Sequence, residues 1–214
     1  GGNNKWGYFP SVSGAWVVSD ENFWKTEALS EVKLRVSYGQ TGNFQIPNYG
    51  AYDLLSSNNY ILGSGEDNSV NGVGLSQPSN PDLTWERTSQ VNAGLDIGLL
   101  KNRIYLSADY YVSTTRDLLL NVPVPLNSGF STALVNIGKV QNKGFELGIT
   151  SNNLEGALKW KTNFNISANR NKVLQLGSEN TPIISDGGVA SLYITQVGQP
   201  IGSFFGYVNG GVFK

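Results

Sequence analysis

Cysteine, histidine and methionine are all absent from the 214 residues. Without cysteine there is no disulfide framework, and without cysteine and histidine no Cys/His metal site. Nucleophilic catalysis of the Ser-His-Asp or Cys-His kind lacks its base. The missing methionine places the expected natural start outside this sequence. Charge is also scarce, at 14% of residues against ~25% in ordinary soluble domains. The 15 basic and 16 acidic residues nearly cancel, so no basic excess points to nucleic acid. No run approaches the ~20 apolar residues of a membrane helix, and no secretory signal is read within this sequence. Contact with a membrane would have to be made by strands. What is abundant is glycine, 26 residues, together with asparagine, a composition of turns and close backbone packing.

The clearest pattern starts after Trp85. Val91, Ala93, Leu95, Ile97 and Leu99 alternate with Asn92, Gly94, Asp96 and Gly98, the period-2 signature of a strand with two unlike faces. After a tight turn at Leu100–Arg103, Ile104, Leu106, Ala108, Tyr110 and Val112 alternate with Tyr105, Ser107, Asp109 and Tyr111. Facing Leu99 with Ile104 sets Asp96 opposite Ser107 and Ile97 opposite Leu106, so like faces meet. A second hairpin runs through Phe145, Leu147 and Ile149, turns near Asn153–Ala157, and returns through Leu158, Trp160, Thr162, Phe164, Ile166 and Ala168. Facing Asn153 with Leu158 sets Glu146 opposite Asn165 and Phe145 opposite Ile166.

No charge lies on the apolar face of these four strands. A lipid-facing surface has that property, and so does the inner face of a soluble sandwich. Length favours the membrane. Leu158 to Arg170 alternates for 13 residues, where globular strands run ~5–6 and tilted membrane strands ~9–11. The connections are uneven as well: the turns at 100–103 and near 155 are short, while the link from Leu118 to Asn142 is expected to span about two dozen residues. Outer-membrane barrels pair short periplasmic turns with longer extracellular loops.

Elsewhere the signals are weaker. Val32, Leu34, Val36 and Tyr38 alternate with Lys33, Arg35, Ser37 and Gly39, and a further strand is expected within Tyr8–Val18. Ser19–Ser30 holds a helical turn or two at most, and Tyr49–Pro78 reads as a loop with short strand-like pieces. Asn165-Ile166-Ser167 matches a glycosylation sequon inside a strand, and Gly63-Ser64-Gly65 lacks the lysine and spacing of a phosphate loop. Asp109 and Glu146 stand on different strands of the pattern, and nothing in their spacing marks a glycosidase acid pair.

Six segments resemble one family in their shared order: KWGYFPSVSGAW (5–16), VKLRVSYGQTGN (32–43), NPDLTWERTSQVNAGLDIGLLKNRIYLSADYY (80–111), NIGKVQNKGFELGI (136–149), WKTNFNISANRNKVLQLG (160–177) and VGQPIGSFFGYVNGGVFK (197–214). They resemble the barrel of SusC/RagA-type TonB-dependent transporters of Bacteroidetes-like bacteria. The resemblance implies an all-β chain, an antiparallel transmembrane β-barrel segment of roughly eight or nine strands from a barrel of about 22. Residues 1–214 would then be one partial barrel domain in the bacterial outer membrane. The plug, the TonB-contacting segment and the closing strand are expected outside this sequence, which stops after the turn Asn209-Gly210-Gly211.

It implies an importer of oligosaccharides, or of peptides in some members, energised through TonB, capped by a SusD-like surface lipoprotein and surrounded by outer-membrane lipid. No cofactor or metal is implied, and no enzyme activity. On that reading Asp96, Asp109, Glu146, Lys159, Lys161, Asn163 and Asn165 face a polar lumen. The loop aromatics Tyr49, Tyr52, Tyr60 and Phe130 are candidates for gripping substrate, and Trp85, Tyr110 and Trp160 for the membrane girdle. The alternative is a soluble β-sandwich that binds glycans or serves surface adhesion.

Overall fold

The computed structural model describes residues 6–26, 28–61, 69–177, 179–186, 191–207 and 211. Gly63-Ser64-Gly65 and the Asn209-Gly210 part of the final turn lie outside the described residues. Six strands form one antiparallel sheet: β1 (Ser11–Val17), β2 (Leu29–Asn43), β5 (Glu86–Leu99), β6 (Ile104–Pro123), β7 (Thr132–Glu155) and β8 (Lys159–Leu176), in that spatial order. The hairpin of β3 (Leu54–Ile61) and β4 (Ser69–Gln77) stands between β2 and β5 in sequence. A small sheet joins β9 (Ile183–Asp186), β10 (Ser191–Thr195) and β11 (Ser203–Phe204). Among the described residues helix is confined to single 3-10 turns at Val18–Asp20 and Leu126–Ser128. Against the expected eight or nine barrel strands, eleven are described, six in the wall sheet and five in the two smaller ones.

Along β2 and β5 the wall is inside out by the standards of a water-soluble protein. On β5 the even positions Gly94, Asp96 and Gly98 are buried, and Asp96 is only 5% exposed. The odd, apolar positions are the more open ones: Val91 is 49% exposed, and on β2 and β7 Val36 is 59% and Phe145 47%. Among the described residues only Leu83, Val140, Val173 and Leu176 are buried hydrophobics. The chain presents 15760 Å² of surface, where a compact monomer of this mass would present about 9,700 Å². A sandwich would hide its apolar face against a second sheet. This one displays it, which removes the soluble-sandwich reading.

The first hairpin has the expected register, with Leu99 facing Ile104 and Asp96 facing Ser107. The second is shifted by two residues from expectation. Glu146 faces Ser167 and Phe145 faces Ala168, because Asn153 bulges out of β7 and the turn closes at 156–158. Arg103 holds the bulge: its Nη2 donates to the Asn153 carbonyl at 2.9 Å. A shift of two keeps each face intact, which is why the pattern itself could not detect it.

The expected long link from Leu118 to Asn142 is instead strand on both sides, with only residues 124–131 connecting β6 and β7. The alternation fails there because two bulges oppose each other. One lies between Thr115 and Leu118, where Asp117 takes a φ of 58°, and the other between Asn136 and Gly138 on β7. Around them the inner face changes character: Val140, Val173 and Leu176 form a small core with Leu118, Leu120 and Ile183.

Candidate functional site

The inner face of the wall is built on rows of directly paired residues. One row runs Arg35, Gly94, Asp109, Glu146, Ser167 across β2, β5, β6, β7 and β8. Because Gly94 has no side chain, the Arg35 guanidinium lies across β5 and reaches β6. A Cβ on Gly94 would come within 2.6 Å of Asp109 Oδ1 and 2.7 Å of Arg35 Cζ. Arg35 Nε donates to Asp96 Oδ2 at 2.8 Å and Nη2 to Asp96 Oδ1 at 2.9 Å. Nη1 and Nη2 donate to Asp109 Oδ1 and Oδ2 at 3.1 and 3.0 Å. The Ser107 hydroxyl donates to Asp96 Oδ1 at 2.9 Å. One cation therefore holds two carboxylates with a planar fork of donors, the geometry in which Arg outperforms Lys.

Arg35 stood in a recognised two-faced strand but not among the expected lumen residues. The signal was available: aligning β2 with β5 puts Arg35 opposite Gly94, which faces Asp109. Two rows away the same device recurs without charge. Tyr111 faces Gly144, which faces Asn169, and the Tyr111 hydroxyl donates to Asn169 Oδ1 at 3.1 Å over the glycine.

The other expected lumen positions share this face. Asp109 and Glu146 are direct cross-strand partners, brought together by the extended β6–β7 pairing; Asp109 is engaged by Arg35, while Glu146 is exposed. They line a shallow depression with Ser107, Gly148, Asn165 and Ser167. Asn163 Oδ1 accepts from the Thr150 hydroxyl at 3.0 Å. Lys161 faces Asn152 and Lys159 faces Glu155 beside the short turn. Among the described residues no group of three or more acidic side chains is placed to hold a metal ion.

At the loop end, Asn136 fastens the 78–85 segment to the wall. Its amide donates to the Thr84 and Asp117 carbonyls at 2.9 and 2.7 Å, and its oxygen accepts from the Thr84 N–H at 2.9 Å. Tyr49 and Tyr52 are exposed, and Gln77 Nε2 reaches both of their carbonyls at the base of the β3–β4 hairpin. Tyr60 is on strand β3, not in a loop, and exposed; Phe130 is half-buried in the 124–131 link. Among the described residues no ring contact joins any two of these four aromatics. Of the girdle candidates, Trp85 stacks with Phe9 at 5.5 Å and lies 6.0 Å from Phe44. Trp160 stands by the short turn at the opposite end. Tyr110 is exposed on the outer face, where it pairs with Ala93 and Phe145, seven residues or about 23 Å along β6 from the turn.

An exposed apolar band backed by a polar, glycine-notched inner face defines a transmembrane β-barrel wall. The family model for the TonB dependent receptor-like β-barrel matches residues 1–195. A TonB-dependent receptor of Formosa agariphila is 40% identical over the whole of this chain and 20% of its own length. The TonB-dependent receptor SusC of Bacteroides thetaiotaomicron is 32% identical over 96% of this chain and 22% of its own length. Among solved structures, the RagAB peptide transporter superposes with a TM-score of 0.82 at 33% identity, over 95% of this chain and 22% of that one. The chain belongs to the TonB-dependent receptor β-barrel family, in its SusC/RagA type. It spans about a fifth of the length of the relatives it matches.

Proposed function

We propose that residues 1–214 form one section of barrel wall, with its outer loops, in a TonB-dependent importer of the bacterial outer membrane. The observation that carries this is the inversion of the sheet: Asp96 is hidden and paired while Val91 and Phe145 lie open. Asp96, Asp109, Glu146, Lys159, Lys161, Asn163 and Asn165 then wet the lumen, and Arg35 stiffens it. The part played is transport, with no chemistry. The cargo is an oligosaccharide or a peptide; the likeness to the RagAB peptide transporter supports the latter. Tyr49, Tyr52, Tyr60 and Phe130 offer it stacking surfaces beneath a SusD-like lipoprotein, and TonB engages parts of the whole protein beyond this section.

The test uses single cysteines at Ile166 and Ser167, adjacent residues on opposite faces, in the full-length protein in outer membranes. A fluorescent label at 166 is expected to be quenched by brominated lipid and the one at 167 by aqueous iodide. Equal quenching of both by iodide would sink the reading. Uptake of labelled oligosaccharide against labelled peptide, with and without Tyr60→Ala and Phe130→Ala, separates the two cargoes.

A further inference from the structure

The outer face is apolar only as far as a definite line, and the residues just past that line are cations. On β7 and β8, Lys143 and Arg170 face each other directly, in the row that carries Val91 and Val112 on β5 and β6. Lys172 comes one outward position further along β8, opposite Gln141. On β5 and β6 the charges arrive later, where Arg87 faces Arg116. The boundary thus steps upward across the rows from β8 to β5, as a line parallel to a membrane must when it crosses tilted strands. All five side chains are exposed.

Like charges placed directly opposite each other across a ladder are destabilising. Two such pairs stand here, and among the described residues the one carboxylate within ion-pair distance of any of the five is Asp117, 3.4 Å from Arg87 Nε. The belt therefore carries a surplus of uncompensated positive charge. It lies at the end of the apolar band away from the short turns at 100–103 and 156–158. In an outer-membrane barrel that end meets the outer leaflet.

We infer that this belt is a docking surface for the phosphorylated headgroups of outer-leaflet lipid, which supply the anions that Arg116, Lys143, Arg170 and Lys172 lack. Guanidinium and ammonium groups at a membrane boundary attract anionic headgroups with an energy that adds over the charges, and Arg clasps phosphate oxygens with paired donors. The inference rests on the membrane reading proposed above.

The full-length protein in nanodiscs is presented with lipid A, with the same lipid after phosphatase treatment, and with inorganic phosphate as competitor. The untreated lipid is expected to bind more tightly than the treated one, with affinity falling as salt rises. Combining Arg116→Gln, Lys143→Gln, Arg170→Gln and Lys172→Gln is expected to weaken it about tenfold or more, while Lys101→Gln, at the opposite end of the wall, leaves it unchanged. Equal binding of the treated lipid, an unaltered affinity in the fourfold variant, or displacement by inorganic phosphate at equal phosphate concentration would overturn the inference. Lipid quenching at position 166 is followed in the same samples: if it persists the barrel reading stands whatever the belt does, and if it is lost that reading fails first.

Discussion

Gly94 and Gly144 occupy equivalent notches, yet each is needed for a different reason. At Gly94 the space belongs to side-chain ends, the Arg35 guanidinium and an Asp109 oxygen. At Gly144 a Cβ would come within 2.3 Å of the Ala168 backbone carbonyl before it met the Tyr111 hydroxyl at 2.9 Å. The first glycine makes room for an interaction and the second for a neighbouring strand. Side-chain ends can withdraw from an intruder, whereas a paired backbone moves only by disturbing its ladder.

That contrast orders the expected effects of substitution, read as shifts in the unfolding transition of the full-length protein in detergent micelles. Gly144→Ala is expected to cost most, about 2–3 kcal/mol, because β8 must move; a smaller loss than Gly94→Ala causes would reverse the contrast. Arg35→Met should cost about 2 kcal/mol. It strands the Asp96 and Asp109 carboxylates, but the arginine is itself 32% exposed and water softens the loss. Gly94→Ala is set lower, about 1–2 kcal/mol, since the guanidinium can swing aside. Tyr111→Phe removes a single neutral hydrogen bond and is expected to cost about 0.5–1 kcal/mol. The sharpest check is a double variant: with Arg35 already replaced by Met, Gly94→Ala should add almost nothing, as coupled neighbours require. Full additivity would mean that the notch does not serve the arginine.

The faces of this wall were legible in the sequence because alternation is a local property. The register of the first hairpin was legible too, since its turn is tight and bulge-free. Asn153 hid the register of the second: a bulge leaves no mark on composition, and Asn suits a turn as well as a bulge. The upper halves of β6 and β7 are not legible as strand because paired bulges and the positive φ of Asp117 break the pattern, and because apolar residues there turn inward toward Ile183. Arg35 was missed for another reason. Its partners lie 61 and 74 residues away, and it becomes visible only when three strands are aligned at once. Alternation puts the lumen candidates on one face as a set, but does not say which of them touch.

The arginine bridge also bears on how the wall finds its alignment while it assembles. A strand that slides by two residues still matches face to face and can rebuild every rung of its ladder, so hydrogen bonding and hydrophobicity together scarcely penalise the error. A slide of β5 past β2 by two would bring Asn92 or Asp96 beneath Arg35 in place of Gly94 and block the way to Asp109. The three-strand bridge closes at one offset only. It therefore works as a key, rejecting the mistakes that the repeating pattern of the strands would otherwise accept.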